Sequence, residues 1–408
     1  MRSVAEHREA ILGAVPAAEP VELELSACCG LVTCTDVVAR VDLPGFDNSA
    51  MDGYAIRSAD VAEASEDRPE VLRVVGEVAA GGDAAGLVVG PGQAVRIMTG
   101  AMMPAGADAV VMVERTDGGV DQVSVCDPVP AGRSIRPAGE DVRAGAVVIP
   151  AGTRVGARTI ALAAATGHPM LRVRPRPRVA VISTGDELIE PGRPLRPGQI
   201  HESNSLMLAA AVEGMGAQTV ERLSVGDDPD ELVALLTTLA GWCDAIITSG
   251  GVSMGAYDVV KAALAAHGVD FVQVAMQPGK PQGFGLFGPR RVPVFALPGN
   301  PVSAFVSFEV FVAPALDAMM GTTHERRIVR GVMGHELTSP AGRTQIARAV
   351  TSRTDAGWLV DPVVGQGSHF IHDLVRANSL VVVPEATTRL ETGDEVEVWL
   401  LGDRELTA

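Results

Sequence analysis

Val179-Ala180-Val181-Ile182-Ser183-Thr184-Gly185-Asp186-Glu187 runs an apolar stretch straight into small, hydroxylated and acidic residues. The stretch reads as a β-strand entering a loop. The pattern returns twice. Residues 245–248 lead into Ser249-Gly250-Gly251-Val252-Ser253-Met254-Gly255, and residues 292–297 lead into Pro298-Gly299-Asn300-Pro301-Val302-Ser303. Between these strands lie segments with helical spacing at 205–215, 228–240, 256–266 and 303–319. Strands alternating with helices of 10–15 residues predict βαβ units and a mainly parallel sheet. Ligands of such sheets bind outside the carboxyl ends of the strands, which is where the three loops fall.

Outward from this centre the pattern changes. Residues 172–178, Arg172-Val173-Arg174-Pro175-Arg176-Pro177-Arg178, read as a linker. Ahead of it, residues 2–15 carry helical spacing, 31–41 are extended, 147–149 form a strand and an alanine-rich helical segment follows. Short valine-rich runs at 71–75, 94–98, 109–113 and 122–125, broken by Gly, Pro and Asp, predict a small β domain. Beyond Gly321 helices stop and strands resume at 326–333, 345–350, 379–383 and 395–401. The expected division is an N-terminal mixed domain in two segments (1–48 and 138–175), an inserted β domain (49–137), an α/β domain (176–325) and a C-terminal β domain (326–408). The fold class is multidomain α/β plus β.

Lys and Arg number 33 against 50 Asp and Glu, a net charge of −17 that opposes nucleic-acid binding. Small anions remain open as ligands, because a site answers to its local donors. Five cysteines without a CxxC pair are too few for a disulfide framework and fit a reducing cytoplasm. The first 15 residues lack the apolar run of a signal peptide, and no segment stands out with the ~18–20 apolar residues of a membrane span.

Each loaded loop offers backbone N–H groups, with glycine permitting close approach, and so a cradle for phosphate or another tetrahedral oxyanion. Taken singly, each also reads as a tight turn. No GxxxxGK[ST] and no GxGxxG is present, which removes the usual kinase and dinucleotide-binding readings. Gln277-Pro278-Gly279-Lys280-Pro281 adds a cation, Lys280, able to neutralise an oxyanion or simply to sit solvated in a turn. Asp52, Asp141, Glu187, Asp227 and Asp258 stand in or beside glycine-bounded turns. Such scattered carboxylates suit Mg²⁺, which takes one or two of them plus substrate phosphate.

Pro44-Gly45-Phe46-Asp47-Asn48-Ser49-Ala50-Met51-Asp52-Gly53-Tyr54-Ala55 resembles the signature of the molybdopterin molybdenumtransferase family, the MoeA-type enzymes to which the E domain of gephyrin is related. Arg96 to Ala101, Gly139-Glu140-Asp141, Ser183 to Leu188, Ser249 to Ser253 and Leu297 to Ser303 are similar to its other motifs, in the same order over nearly the whole chain. The resemblance implies a dimer of four-domain subunits with a molybdopterin-binding α/β domain and a cleft shared across the dimer. It implies insertion of molybdenum from molybdate into adenylylated molybdopterin, with Mg²⁺ assisting and AMP released. A molybdopterin adenylyltransferase is an expected partner, and neither nucleic acid nor membrane is. Asp52, Thr99, Asp141, Glu187, Asp227 and Asp258 are implied as catalytic positions, the last three also as metal ligands. Ser183, Thr184, Gly185, Ser249, Gly250, Gly251, Ser253, Lys280, Pro298, Gly299, Asn300 and Pro301 are the expected substrate contacts.

Molybdate must lose oxo groups before two dithiolene sulfurs bind, and general acids make each departing oxide into water. A crowded acidic cleft raises carboxylate pKa values, which makes Asp227 and Asp258 the expected donors or metal ligands. One departure from the family pattern is Gln273 and Gln277 ahead of the PGKP turn, where many relatives are lysine-rich. Glutamine donates a hydrogen bond without the charge-assisted part. The departure sets up a competing reading, a gephyrin-like scaffold whose C-terminal domain helps bind a partner peptide. An adenylyltransferase would usually need the α/β domain alone, and nothing resembles the iron–sulfur or cofactor-enclosing domains of redox molybdoenzymes.

Overall fold

A computed structural model describes residues 1–252, 259–323 and 326–402. Contacts divide the chain into two compact units, one of residues 1–21, 30–32 and 174–408, the other of residues 22–29 and 33–173.

In the first unit, α1 (Val4–Ala14) opens on a capping box in which Ser3 and Glu6 satisfy each other's backbone N–H groups. It buries His7 and Ile11, with Ile11 in the core beside Leu316 and Met319. The second unit holds a five-stranded sheet of β1 (Gly53–Ile56), β2 (Glu70–Val78), β3 (Gln93–Ile97), β4 (Ala109–Met112) and β5 (Gln122–Val125), ordered β4-β1-β3-β2-β5. Successive side chains of β1 point to opposite faces, Tyr54 and Ile56 into one core and Ala55 into another, so the sheet is covered on both sides. Helix α2 (Ala157–Ala165) follows in the same unit.

The α/β segment of the first unit runs β6 (Arg178–Thr184), α3 (Asn204–Gly214), β7 (Gln218–Val225), α4 (Pro229–Ala240), β8 (Ala245–Ser249), α5 (Val259–Ala265), β9 (Val269–Gln273), β10 (Pro281–Phe287) and β11 (Val292–Leu297). The sheet order is β7-β6-β8-β11-β10-β9. The first four strands are parallel, while β10 runs antiparallel to both of its neighbours. Val179, Val181, Ala245, Ile247, Phe295 and Leu297 face one core, and Ala180, Ile182, Ile246, Val294 and Ala296 face the other. Each fully buried Val, Leu or Ile contributes about 1.5–3 kcal/mol, so these two layers supply much of what holds the segment together. Helix α3 closes the first core, and α4 and α5 close the second.

After β11, α6 (Pro301–Ser307), a π-helical turn (Phe308–Val312) and α7 (Ala313–Met319) form one continuous helical run. By length and composition alone this 19-residue run, with an 18-residue window of mean hydropathy 1.5, would be able to cross a membrane, but 83% of that window is buried in the protein's own core. The C-terminal part contains β12 (Ile328–Met333), β13 (Thr344–Thr354), β14 (Gly357–Pro362), the short helix α8 (Ile371–Arg376), β15 (Ser379–Val383) and β16 (Glu395–Leu400). Two details correct the sequence reading. The helices do not stop at Gly321, since α8 follows, and the linker of 172–178 is in part extended, because the strand Met170–Arg174 ends within it and β6 begins at Arg178.

Candidate active site

Strands β6, β8 and β11 end level. Ser183 pairs with Ser249, and Ser249 with Leu297, so the three loops predicted from sequence leave the sheet side by side. They touch backbone to backbone. A Cβ at Gly250, where φ is +102°, would lie 2.6 Å from the Thr184 carbonyl oxygen, and one at Gly299 would lie 3.3 Å from the Gly250 Cα. Glycine at 250 is therefore required both by conformation and by space. Asn204, at the start of α3, donates from Nδ2 to Ser249 Oγ at 2.8 Å and to the Gly299 carbonyl at 2.6 Å, binding the second and third loops together.

The loops form the floor of a cleft of about 910 Å³. Of the expected substrate contacts, Thr184, Gly185, Ser249, Gly250, Gly251, Lys280, Pro298, Gly299, Asn300 and Pro301 line it, as do the carboxylates Glu187 and Asp227. Ser183 does not. Its hydroxyl donates to Glu202 at 2.7 Å in the protein interior. Ser253 and Asp258 lie outside the described residues. Inside the cleft, Thr184 Oγ1 and Asn204 Oδ1 are buried without a hydrogen-bond partner among the described residues. Buried polar atoms left in this way mark where a ligand's own polar groups would be satisfied.

The expectation that each loop feeds a helix is only partly met. Residues 183–187 continue into the two-residue strand Leu188–Ile189, which pairs with Ile200–His201, and α3 starts only at Asn204. Pro298-Gly299-Asn300 enters a helix directly, with Pro301 at the first turn of α6, and residues 253–258 of the second loop lie outside the described residues. There one backbone donor is already used, because the Val302 N–H donates to the Ser368 carbonyl at 3.1 Å.

Sequence reasoning missed His201, Glu202, Ser203, Asn204, Arg343, Ser368 and His369, all lining the cleft. Glu202 is only 4% exposed and accepts from Ser183 Oγ, from the Ser205 N–H at 2.7 Å and from Ser205 Oγ at 2.5 Å. The run His201-Glu202-Ser203-Asn204 just ahead of a helix was a readable signal. Arg343 was not, since a single arginine after a glycine turn looks like any surface cation. Its guanidinium donates to Gln277 Oε1 at 3.2 Å, so a cation from the C-terminal part stands where the sequence departs from a lysine-rich pattern. Gln277 lines the cleft, and Gln273 does not.

Glu187 and Asp227 are exposed, and among the described residues neither side chain is engaged in a hydrogen bond or ion pair. Asp186 ties their loops by accepting the Asp227 N–H at 3.1 Å. Two open carboxylates in a cleft sized for an organic phosphate fit a magnesium ion, which needs few protein ligands.

Asp52, Thr99 and Asp141 belong to the second unit. Asp52 Oδ1 accepts both the Thr99 N–H at 2.7 Å and the Thr99 hydroxyl at 2.8 Å. These hydrogen bonds hold the Asp52 carboxyl below its ordinary pKa, so Asp52 is an ionised acceptor at neutral pH. Asp141 is exposed on a turn anchored by its own N–H to the Leu43 carbonyl at 2.9 Å.

A doubly covered, mainly parallel sheet whose strand ends carry a polar cleft, joined to β-rich segments, defines an α/β protein with a ligand-binding cleft at its strand ends. Residues 2–167 match the MoeA N-terminal region (domain I and II), residues 180–318 a probable molybdopterin binding domain, and residues 330–401 the MoeA C-terminal region (domain IV). The chain belongs to the MoeA family of molybdopterin molybdenumtransferases. It is 47% identical to molybdopterin molybdenumtransferase 2 of Mycobacterium tuberculosis over 98% of this chain and 99% of that protein. Identity to the Bacillus subtilis molybdopterin molybdenumtransferase is 34% over 90% of this chain and 86% of that protein. The crystal structure of the molybdopterin biosynthesis MoeA protein from Pyrococcus horikoshii matches with a TM-score of 0.83 and 30% identity, covering 98% of this chain and 99% of that one. The named relatives are transferases, and the scaffold reading finds no support among them.

Proposed function

We propose that this enzyme inserts molybdenum from molybdate into adenylylated molybdopterin, releasing AMP and forming molybdenum cofactor. The observation that carries the reading is the convergence of three loops at adjacent strand ends on one cleft that holds both cations and free carboxylates. Lys280 and Arg343 would hold the oxyanion and phosphate groups, helped by backbone N–H groups of the glycine loops. Glu187 and Asp227 would hold magnesium, which supplies positive charge to offset that of the phosphates. Each departing oxo group takes up protons and leaves as water, and a carboxyl not bound to magnesium must donate them. With Asp227 on magnesium, Asp258 is the donor, and separate Asn variants of the two test that assignment.

Thr184 Oγ1 and Asn204 Oδ1 would meet polar groups of the pterin or its phosphate, fixing the substrate before the metal arrives. A homodimer is part of the proposal, with Asp52, Thr99 and Asp141 of one copy completing the cleft of the other. Five cysteines in 408 residues, without a CxxC pair, support a reducing compartment, the cytoplasm.

The test is AMP release from adenylylated molybdopterin by the purified full chain, with molybdate and Mg²⁺ varied. We expect turnover that requires both, and a loss on the order of 100-fold or more in Asp227→Asn. Tight substrate binding by the wild-type chain with no AMP released would overturn the transferase reading.

A further inference from the structure

Arg348, at the middle of β13, is 1% exposed, and among the described residues no carboxylate pairs with it directly. On β13 the side chains alternate, so Ala347 and Ala349 enter the C-terminal core while Ile346 joins the core of the α/β segment. Arg348 shares the face of Ile346 and spends its guanidinium on main-chain carbonyls. NH1 donates to the Phe370 carbonyl at 2.9 Å, and NH2 donates to the Gly367 carbonyl at 3.1 Å and also to the Gly365 carbonyl. Gln366 adds a second clasp, donating from Nε2 to the Arg348 and Val363 carbonyls at 3.0 Å each.

The held segment, 365–370, carries Ser368 and His369 into the cleft. Ser368 is in turn the partner of the third catalytic loop. Its Oγ accepts from Asn300 Nδ2 at 2.9 Å and its carbonyl accepts the Val302 N–H at 3.1 Å. The buried cation, the segment and the start of α6 therefore form one chain of hydrogen bonds, ending beside Arg343 and Lys280, the two Lys or Arg side chains among the described lining residues. Three carbonyls of a half-buried segment converge here outside any β-ladder, the Gly367 one also accepting the Phe370 N–H at 3.2 Å, and a donor with several N–H groups in a fixed plane is needed to reach all three. Arginine meets that need and lysine only in part, because its donors radiate from one nitrogen. Burial works against the Arg348 charge, and the Asp373 carboxylate works for it.

We infer that Arg348 is a positioning residue, whose three carbonyl contacts fasten the 365–370 segment so that Ser368 and His369 complete the oxyanion side of the cleft. The inference rests on the transferase reading above. It assigns Arg348 no contact with substrate.

Arg348→Met and Arg348→Lys, in the full chain, test it by steady-state AMP release with molybdate varied and by amide hydrogen exchange. For Arg348→Met we expect the KM for molybdate to rise at least tenfold with kcat within threefold of wild type. Amides of 365–371 and of Val302 should exchange at least tenfold faster while β13 and β15 stay protected. Arg348→Lys should fall between the two. A wild-type chain that turns over nothing defeats the transferase reading and leaves the exchange result to decide the fastening. A KM and segment exchange within twofold of wild type in Arg348→Met would overturn the inference, as would loss of protection throughout β13 and β15 in both variants, which would make Arg348 a residue of the fold alone.

Discussion

Thr99 holds Asp52 through two donors on one oxygen, and the two donors are separable. Thr99→Val keeps the backbone N–H and removes the hydroxyl. Losing a donor to the ionised carboxylate raises its pKa toward the ordinary value, so the acid limb of the pH–activity profile should move to higher pH, as a kcat/KM profile would register. An unmoved limb would separate Asp52 from the reaction. His7 bears on stability rather than on the reaction. Its Nδ1 is buried without a partner among the described residues, its ring meets Phe311 edge-on at 4.8 Å, and burial pulls its pKa down to about 4. The unfolded chain, with a histidine near its ordinary value, binds the proton first as pH falls. Stability therefore drops between about pH 6.5 and about pH 4, by up to about 3 kcal/mol, and this histidine takes nothing further below that. His7→Leu should flatten that part of the curve, read from urea midpoints of both proteins at successive pH values.

Loops and strands were legible to different degrees. Runs such as 379–383 and 122–125 coincide with β15 and β5 because a strand needs only local alternation or apolarity. Strands β7, β10 and β14 were not read, since Gln218–Val225, at a sheet edge, and Gly357–Pro362, between β12 and β13, mix polar residues into half-buried strands and Pro281–Phe287 begins with a proline and contains two glycines. The glycines of β10 make sense only in three dimensions, because a Cβ at Gly283 would strike Phe271 at 2.7 Å and Ala296 at 2.8 Å. Gly250 is the corresponding point in the site. Gly250→Ala puts a side chain into backbone that cannot yield, so a stability loss of about 1–3 kcal/mol is expected together with a large fall in kcat/KM. Thermal unfolding and AMP release on the same preparation check both. A variant as stable and as active as wild type would show that the loops do not need their close approach.

Asp52 and Asp227 belong to separate compact units, and the proposed homodimer makes a definite claim about how they cooperate. If one copy supplies Asp52 to the cleft that holds the other's Asp227, then Asp52→Asn and Asp227→Asn, each inactive alone, restore activity when mixed and allowed to exchange subunits. Random mixing gives half heterodimers, each with one intact cleft of two, or about a quarter of wild-type activity. No recovery, with heterodimers demonstrated by a mass tag carried on one variant only, would place both residues in the same copy's site or remove one of them from it. Chelation of magnesium should abolish turnover in the wild type and in the mixture alike.

Apolar periodicity and the glycine-rich loops were enough to read the parallel sheet, its flanking β-rich segments and most of the cleft's lining, because these depend on residues close together in the chain. Convergence is another matter. That Ser183, Ser249 and Leu297 end level, that Ser183 turns inward to Glu202, and that Arg343 meets Gln277 are consequences of strand register and of contacts between residues as much as 66 positions apart. Such distances in sequence carry no local pattern, since register is set by which side chains pack across the sheet, and a lone arginine looks the same in either setting until its partners are brought beside it.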